Sequence, residues 1–323
     1  MIEPHSHSTQ PAARRGTHTR SRRSGASPDG LSRRGVTIVV PAYNEEDGIG
    51  GVVERLSKLA LGREIEILVV EDGSTDRTRA VLHELLERYP KLAVIEHVKN
   101  RGYGAALKTG FAEAANEVVV ITDADGTYPE DRIAELLDRI DDGAEMVVGA
   151  RRGANVHIPL VRRPAKAFLG LLASHLAEAP IPDLNSGLRA FRRALVLKYR
   201  AILPDGFSFT TTITLAALTN HHRVDYVDID YAPRSGRSKI KPIRDTLRFL
   251  SLIVRTVLYF NPLRVFYPIA LFVGVLFLGS LCYDLFWERP ANLGDKTVLM
   301  FVALVQVLTV GLLADLIEKK SRL

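Results

Sequence analysis

Short apolar runs alternate with amphipathic stretches between residues 36 and 148 of the chain. The apolar runs are rich in Val and Ile and are bounded by Gly, Pro, Asn or Asp, which is typical of buried strands. They predict strands at residues 36–40, 64–70, 92–97, 118–123 and 146–148. The stretches between them have apolar residues at helical spacing and predict helices at residues 45–59, 76–88, 104–115 and 130–140. This alternation predicts an α/β fold with a mostly parallel sheet covered by helices on both faces.

Two longer apolar segments follow near the C-terminal end. Residues 266–283 and 297–314 contain no charged side chain, and each is long enough to cross about 30 Å of hydrocarbon as a helix. The linker between them is polar and contains Pro290 and Gly294. The pattern predicts a hairpin of two transmembrane helices, at about residues 266–286 and 297–317. A pair of buried core helices is the alternative.

The cations that flank these segments predict their orientation. They are Arg244, Arg248, Arg255 and Arg264 before the first segment, and Lys319, Lys320 and Arg322 after the second. Since cytoplasmic flanks are enriched in Lys and Arg, both termini and the large domain are expected in the cytoplasm. The predicted location is the cell (inner) membrane, with a multi-pass topology.

Residues 244–258 form an amphipathic pattern directly before the first apolar segment. Arg244, Arg248, Ser251 and Arg255 fall on one helical stripe, and apolar residues cover the remainder. A helix of this kind typically lies in the membrane interface with its apolar face in lipid. A helix packed on the core of the domain is the alternative.

Composition adds a basic N-terminal region to this outline. The 323 residues are 46% hydrophobic and 25% charged, with a net charge of +6. Residues 1–35 hold seven arginines and two acids without an apolar run, which predicts a disordered basic tail and no secretory signal peptide. Contact of this tail with nucleic acid or anionic lipid is the less favoured interpretation.

The single cysteine, Cys282, excludes internal disulfides and Cys-rich zinc sites.

Polar residues follow three of the predicted strands. They occupy residues 41–45 after the first strand, residues 71–74 after the second, and Asp123 and Asp125 after the fourth. Ligands of such sheets bind beyond the carboxyl ends of the strands. Two carboxylates at this spacing can hold Mg²⁺ or Mn²⁺ with phosphates completing the shell, although a polar loop is the alternative. Leu107 breaks both the dinucleotide fingerprint and the P-loop pattern.

Seven segments together resemble the inverting glycosyltransferases of family 2, which have the GT-A fold. The similarity is greatest to the polyprenyl-phosphate glycosyltransferases, which include dolichol-phosphate mannose synthase and bacterial undecaprenyl-phosphate glucosyltransferases. In order, the segments are VVPAYNEE (39–46), VVEDGSTDRT (69–78), NRGYGAALKTG (100–110), ITDADGTYP (121–129), VGARR (148–152), DLNSGLRAF (183–191) and RSGRSK (234–239). A C-terminal hairpin after an interfacial helix also resembles the bacterial members.

The resemblance implies roles for individual residues. The residues implied to line the nucleotide site are Pro41, Tyr43, Glu45, Asp72 and Lys108, with Asp72 near the base and ribose. Asp123 and Asp125 would hold Mg²⁺ or Mn²⁺ on the donor diphosphate. The residues implied to line the phosphate and acceptor region are Arg151, Ser186, Arg234 and Lys239, with Arg162 or Arg163 near the lipid phosphate.

Catalytic roles are expected for Asp125, Arg151 and Asp183. Asp183 would position groups or accept a proton, and the alternative is that it caps the turn at residues 185–187.

Two departures from the family pattern bear on the site. Thr127 stands where archaeal mannose synthases have Gln, and no acid follows soon after residues 206–207.

The expected function is that of a membrane-anchored inverting glycosyltransferase. It would move a hexose from a UDP- or GDP-linked sugar to an undecaprenyl or dolichyl phosphate on the cytoplasmic face. A lipid phosphate has a second pKa of about 6, so a strong general base is not required. The alternatives are a transferase for another lipid or polysaccharide acceptor and a non-catalytic membrane adaptor. The position of the single tryptophan, Trp287, argues against a processive synthase. No nucleic-acid partner is expected, and a homo-oligomer remains open.

The expected domain organisation has four parts. They are the basic tail at residues 1–35, the GT-A catalytic domain at 36–233, a basic juxtamembrane segment at 234–264 and the membrane helices at 265–323.

Overall fold

The computed structural model describes residues 35–152, 170–171, 173–175, 177–206, 208–232, 242–286 and 293–321. Almost all of the predicted basic tail lies outside the described residues. The same holds for four predicted site residues, namely Arg162, Arg163, Arg234 and Lys239.

The described part of residues 36–233 contains one seven-stranded mixed sheet. Its strands are β1 (Val36–Ala42), β2 (Ile65–Glu71), β3 (Leu92–Glu96), β4 (Val118–Ile121), β5 (Met146–Arg151), β6 (Arg189–Arg192) and β7 (Val224–Ile229). They are ordered β3-β2-β1-β4-β6-β5-β7. Strand β1 pairs in parallel with β2 and β4, whereas β6 is antiparallel to both β4 and β5. The parallel order of β1, β2 and β4 brings their carboxyl ends to one edge.

Helices cover both faces of this sheet. They are α1 (Ile49–Ser57), α2 (Thr78–Arg88), α3 (Tyr103–Glu113), α4 (Ile133–Asp141), α5 (Arg193–Tyr199) and α6 (Phe209–Thr219). A 3₁₀ turn, Glu130–Arg132, precedes α4. Apolar residues of α1, α2 and α4 pack on one face, and those of α3, α5 and α6 pack on the other. Alternate residues of β1 point to opposite faces, as Ile38 and Val39 do. The predicted α/β class with a mostly parallel sheet covered by helices is confirmed.

Helix α7 (Pro242–Phe260) packs on the domain. The described side chains that make this contact include Ile253, Val257 and Phe260. Ile253 and Val257 are fully buried in one cluster with Leu215 of α6, and the ring of Phe260 lies 5.7 Å from that of Tyr199. The prediction that the apolar face lies in lipid is therefore wrong for Ile253 and Val257. At these two positions the apolar stripe is covered by protein.

Helices α8 (Leu263–Phe286) and α9 (Asp295–Ser321) form an apolar pair at the C-terminal end. Both are long and apolar enough to cross a membrane. The rings of Phe277 and Phe301 lie 5.5 Å apart between them, and a Cβ on Gly311 would lie 2.8 Å from that of Phe266. Most other large apolar side chains of the pair are exposed. These features are compatible with the predicted transmembrane hairpin.

A buried carboxylate closes the turn of this hairpin. Asp284 accepts hydrogen bonds from the backbone N–H of Gly294 at 2.8 Å and from the hydroxyl of Thr297 at 2.6 Å. Since the first N–H groups of a helix lack partners within the helix, the side chain caps the beginning of α9 from the end of α8. The contact fixes the register of the two helices.

Candidate active site

Loops after β1 and β2 meet at the carboxyl edge of the sheet. Asn44 has a φ of +54°, and its Oδ1 accepts a hydrogen bond from the N–H of Thr75 at 2.9 Å. The N–H of Asn44 in turn donates to the hydroxyl of Ser74 at 3.0 Å. These bonds hold together the two loops that carry predicted nucleotide residues.

The predicted nucleotide residues of the first loop differ in exposure. Pro41 is buried within β1, Glu45 is half-buried, and Tyr43 is 43% exposed. The N–H of Glu45 donates to the hydroxyl of Thr78 at 2.9 Å, which anchors the loop on α2. Tyr43 thus presents an accessible ring at the edge where ligands of such sheets bind.

Asp72 is buried and serves the protein's own backbone. Its Oδ1 accepts a hydrogen bond from the N–H of Arg101 at 3.0 Å, and its Oδ2 accepts one from Gly102 at 2.8 Å. Nδ1 of His97 lies 2.6 Å from Oδ1. These contacts and the exposure of only 2% of the residue show that Asp72 organises the 97–102 loop. Its contact with the base and ribose stays a prediction.

Asp123 and Asp125 are half-buried and each is oriented by a neighbouring hydroxyl. The phenol of Tyr103 donates to Oδ1 of Asp123 at 3.1 Å. Oδ1 of Asp125 accepts bonds from both the N–H and the hydroxyl of Thr127, at 3.1 and 2.7 Å. Thr127 therefore orients a carboxylate, and its hydroxyl proton is directed to Asp125. A Cβ on Gly187 would lie 2.7 Å from Oδ2 of Asp123, so a side chain there would force the carboxylate of Asp123 to move.

The two carboxylates suit a hard divalent cation. Both side chains supply oxygen donors, which Mg²⁺ and Mn²⁺ prefer, and each keeps partial contact with solvent. Within the described residues, no group of three His, Cys, Asp or Glu side chains forms a complete protein cage. A cation here would take its other ligands from phosphate or water. This is the usual pattern for metal ions bound with nucleotides.

Arg151 and Asp183 form a bidentate pair beside this site. Nε and Nη2 of Arg151 donate to Oδ2 and Oδ1 of Asp183 at 2.7 and 2.9 Å. The backbone N–H of Asn185 also donates to Asp183 at 3.1 Å. Burial alone would raise the pKa of Asp183, but the hydrogen bonds and charge of Arg151 outweigh it and lower the pKa to about 2. Asp183 is therefore a poor proton acceptor at neutral pH, and its geometry fits positioning and capping.

Replacing Asp183 with Asn tests the charge of this pair. The folded-state pKa of about 2 lies below the value of about 3.9 for an unfolded Asp, so the stabilisation is complete above about pH 4 and is lost as the pH falls through 2. We expect Asp183→Asn to reduce the free energy of unfolding by about 2 kcal/mol at pH 7, with a shrinking difference below pH 4. Urea unfolding across this pH range measures it. An equal difference at both ends of the range would contradict the pairing.

Aromatic contacts connect Arg151 with the Asp123–Asp125 loop. Its guanidinium lies 5.2 Å from the ring centre of Tyr231, and the rings of Tyr231 and Tyr128 are also 5.2 Å apart. The N–H of Ala232 donates to the carbonyl of Thr127 at 3.1 Å. The chain thus leaves β7 against the Asp123–Asp125 loop just before the predicted residues Arg234 and Lys239, which lie outside the described residues.

Lys108 and Ser186 are placed less directly at the site. Nζ of Lys108 donates to Asp205 at 2.8 Å, which ties α3 to the loop before α6. Ser186 is fully buried, and its hydroxyl has no hydrogen-bond partner among the described residues. The contact of Lys108 is thus with Asp205 and not with Asp123, Asp125 or Arg151.

Sequence reasoning missed the structural role of Arg189. This fully buried side chain donates to the carbonyls of Ser186 and Leu184 at 2.7 and 2.9 Å and to the hydroxyl of Thr214 at 2.6 Å. It therefore holds the loop that brings Gly187 to Asp123. Burial lowers its pKa. The signal in the sequence was an Arg that begins a short strand next to a glycine turn.

Two family profiles match the chain. The profile described as Glycosyl transferase family 2 matches residues 37–200, and the one described as GtrB C-terminal hairpin matches residues 261–319. The first covers the strand-end motifs from β1 to α5. The second covers α8 and α9.

Three curated relatives are named as a transferase or synthase of a dolichyl, polyprenol or undecaprenyl compound. A dolichyl-phosphate hexose transferase of Haloferax volcanii is 34% identical over 64% of this chain and 87% of its own length. A polyprenol monophosphomannose synthase of Mycolicibacterium smegmatis is 30% identical, with coverages of 63% and 80%. An undecaprenyl-phosphate 4-deoxy-4-formamido-L-arabinose transferase of Pseudomonas aeruginosa is 29% identical, with coverages of 87% and 84%.

Solved structures support the same fold. Glucosyl-3-phosphoglycerate synthase from Mycobacterium tuberculosis, in complex with Mn²⁺, uridine-diphosphate and phosphoglyceric acid, superimposes with a TM-score of 0.54. It is 21% identical and covers 69% of this chain and 78% of its own. At this level of identity the likeness concerns the fold.

Proposed function

Since the chain belongs to glycosyl transferase family 2 and is a glycosyltransferase, we propose that it transfers a hexose from a UDP- or GDP-linked sugar to a polyprenyl phosphate. The observation that carries this proposal is the combination of the Asp123–Asp125 site with a GtrB-type apolar hairpin in one chain. The relatives that act on dolichyl, polyprenol and undecaprenyl phosphates support the acceptor class. We propose the cytoplasmic face of the membrane as the site of transfer.

On the donor side, Asp123 and Asp125 are the residues that would hold Mg²⁺ or Mn²⁺. When bound, the cation neutralises charge on the departing nucleotide diphosphate. The hydrogen bonds of Tyr103 and Thr127 keep one oxygen of each carboxylate fixed. Tyr43 is accessible at the same edge of the sheet, and we propose that it lines the nucleotide site with Pro41 and Glu45.

On the acceptor side, the chemistry needs cations and does not need a strong base. A lipid phosphate is already an anionic nucleophile at neutral pH because its second pKa is about 6. Arg151 carries a fixed charge held by Asp183, and we propose that it stabilises phosphate during transfer, with Arg234 and Lys239 as further contacts. A single in-line displacement inverts the anomeric centre.

On the membrane side, we propose that α8 and α9 anchor the enzyme with both termini in the cytoplasm. The proposed parts of the chain are the catalytic domain at 36–233, the basic segment at 234–264 and the membrane helices at 265–323. A groove with a volume of about 600 Å³ lies where the first turn of α8 meets the domain. Its lining residues are Ser174, His175, Glu178, Leu263, Arg264, Tyr267 and Pro268. This position suits an amphiphilic acceptor that approaches from the bilayer.

A transfer assay with matched acceptors tests the proposal. Full-length protein in lipid nanodiscs is incubated with Mn²⁺ and a panel of radiolabelled UDP- and GDP-sugars. One set of discs contains polyprenyl phosphate and the other contains the corresponding polyprenol. We expect label in the lipid fraction for at least one donor, and only with the phosphorylated acceptor. Transfer to the polyprenol but not to its phosphate would refute the proposed acceptor.

A further inference from the structure

We propose that Tyr103 is a positioning residue for Asp123 and that the buried Asp72–His97 pair holds Tyr103 in place. The inference rests on the proposed function, because Asp123 is there a ligand of the divalent cation. It gives a role to Tyr103 and His97, neither of which contributes to the predicted site. The contact that carries it is the hydrogen bond from the Tyr103 phenol to Oδ1 of Asp123, at 3.1 Å.

The backbone before Tyr103 is fixed from two sides. Gly102 adopts a φ of +102°, and a Cβ there would lie 2.5 Å from the carbonyl oxygen of Asp205. Its N–H donates to Oδ2 of Asp72 at 2.8 Å. The N–H of Arg101 donates to Oδ1 of the same carboxylate at 3.0 Å. The end of β2 therefore sets the position at which α3 begins, and Tyr103 is the first residue of α3.

His97 connects Asp72 with the middle of the same helix. Its Nδ1 lies 2.6 Å from Oδ1 of Asp72, and its Nε2 lies 3.0 Å from the hydroxyl of Thr109 in α3. Because a carboxylate only accepts, Nδ1 is the donor in the first contact. The ring is buried, and the N–H of His97 donates to the carbonyl of Glu71 at 2.8 Å. Helix α3 is thus held to β2 at its first turn and again at Thr109.

The phenol of Tyr103 suits this task because its O–H is an uncharged donor aimed at Oδ1 of Asp123. An uncharged donor on Oδ1 orients the carboxylate of Asp123 without placing a second positive charge beside the cation. Thr127 makes the equivalent contact with Oδ1 of Asp125. Partners that orient a metal ligand in this way typically contribute 10- to 100-fold to metal affinity.

The test measures metal binding directly in full-length protein. Electron paramagnetic resonance of free Mn²⁺ gives its Kd in the presence of UDP or GDP. We expect Tyr103→Phe to weaken Mn²⁺ binding by about tenfold, and to raise the Mn²⁺ concentration needed for half-maximal transfer by a similar factor. The kcat at saturating Mn²⁺ should stay within about twofold of the wild-type value, since the cation restores the carboxylate's orientation once it is bound.

Tyr226→Phe is the matched control. Tyr226 is a half-buried tyrosine of β7 whose hydroxyl has no hydrogen-bond partner among the described residues. It should leave the Kd for Mn²⁺ unchanged. A second pair tests His97. The amide nitrogen of Asn can take the place of Nδ1, so we expect His97→Asn to bind Mn²⁺ better than His97→Leu.

The outcomes separate this inference from the proposed function. Equal Mn²⁺ affinity in wild type and Tyr103→Phe would overturn the inference and leave the function intact. A loss of kcat at saturating Mn²⁺, with a metal-free unfolding temperature below that of the Tyr226→Phe control, would show a general structural role and also overturn it. If the wild type neither binds Mn²⁺ with a nucleotide nor transfers sugar, both proposals fail.

Discussion

We expect Asp125→Asn to reduce kcat for sugar transfer by about a thousandfold. The variant keeps an oxygen that accepts the hydrogen bonds of Thr127, so the loop keeps its shape, but it removes one of the two negative charges that would hold the cation. Charge stabilisation by a bound cation contributes several kcal/mol to such a reaction, and about 4 kcal/mol corresponds to a factor of a thousand. Steady-state kinetics with saturating donor and acceptor measure the loss.

The control for this variant is Asp142→Asn, which changes an exposed carboxylate after α4. It should transfer sugar at the wild-type rate. We expect Asp123→Asn to behave like Asp125→Asn, because both carboxylates would serve the same ion. An Asp125→Asn enzyme with more than about a tenth of wild-type kcat and unchanged Mn²⁺ affinity would exclude the assigned role, given the size of the effect expected for a metal ligand.

Arg151→Met, compared with a double variant, shows whether Arg151 contributes to sugar transfer beyond its contribution to stability. Removing the guanidinium leaves Asp183 buried without its ionic partner, which typically costs 3 to 5 kcal/mol. The double variant Arg151→Met/Asp183→Asn removes both charges and should recover most of that loss. Transfer should stay at least about a hundredfold below wild type in both variants, since a single donor to developing charge contributes this much.

Urea unfolding and kinetics on the same samples measure the two effects. Arg223→Met is the control, because Arg223 forms an exposed pair with Asp225 on β7, and pairs of this kind contribute little to stability. Full recovery of transfer in the double variant would mean that Arg151 acts only through the fold. Persistent loss of transfer with restored stability is the expected result.

Strands β1 to β5 and helices α1 to α4 were predictable because their signals are local. Val- and Ile-rich runs bounded by turn residues mark the strands, and the amphipathic period marks the helices. Strand β6 was missed because Arg189 and Arg192 occupy its two ends. A buried arginine satisfied by carbonyls of Ser186 and Leu184 has no counterpart in a hydrophobic pattern.

At the site, the sequence does not show which partners surround each carboxylate. The strand-end pattern located Asp72 and the family resemblance located Asp183. The partners of these carboxylates come from distant parts of the chain, residues 97–102 and Arg151. Only the fold brings them together. Similarly, the apolar stripe of α7 was predicted to lie in lipid, because the pattern looks the same whether lipid or α6 covers Ile253 and Val257.

The most direct test of the central claim is the identity of the bond that the enzyme forms. Full-length protein in nanodiscs with polyprenyl phosphate, Mn²⁺ and the preferred sugar nucleotide is followed by ³¹P nuclear magnetic resonance. The account predicts that the phosphate monoester signal of the lipid converts to that of a sugar phosphodiester, with an inverted anomeric configuration in the isolated product. Release of the nucleoside diphosphate while the lipid phosphate stays a monoester would contradict it.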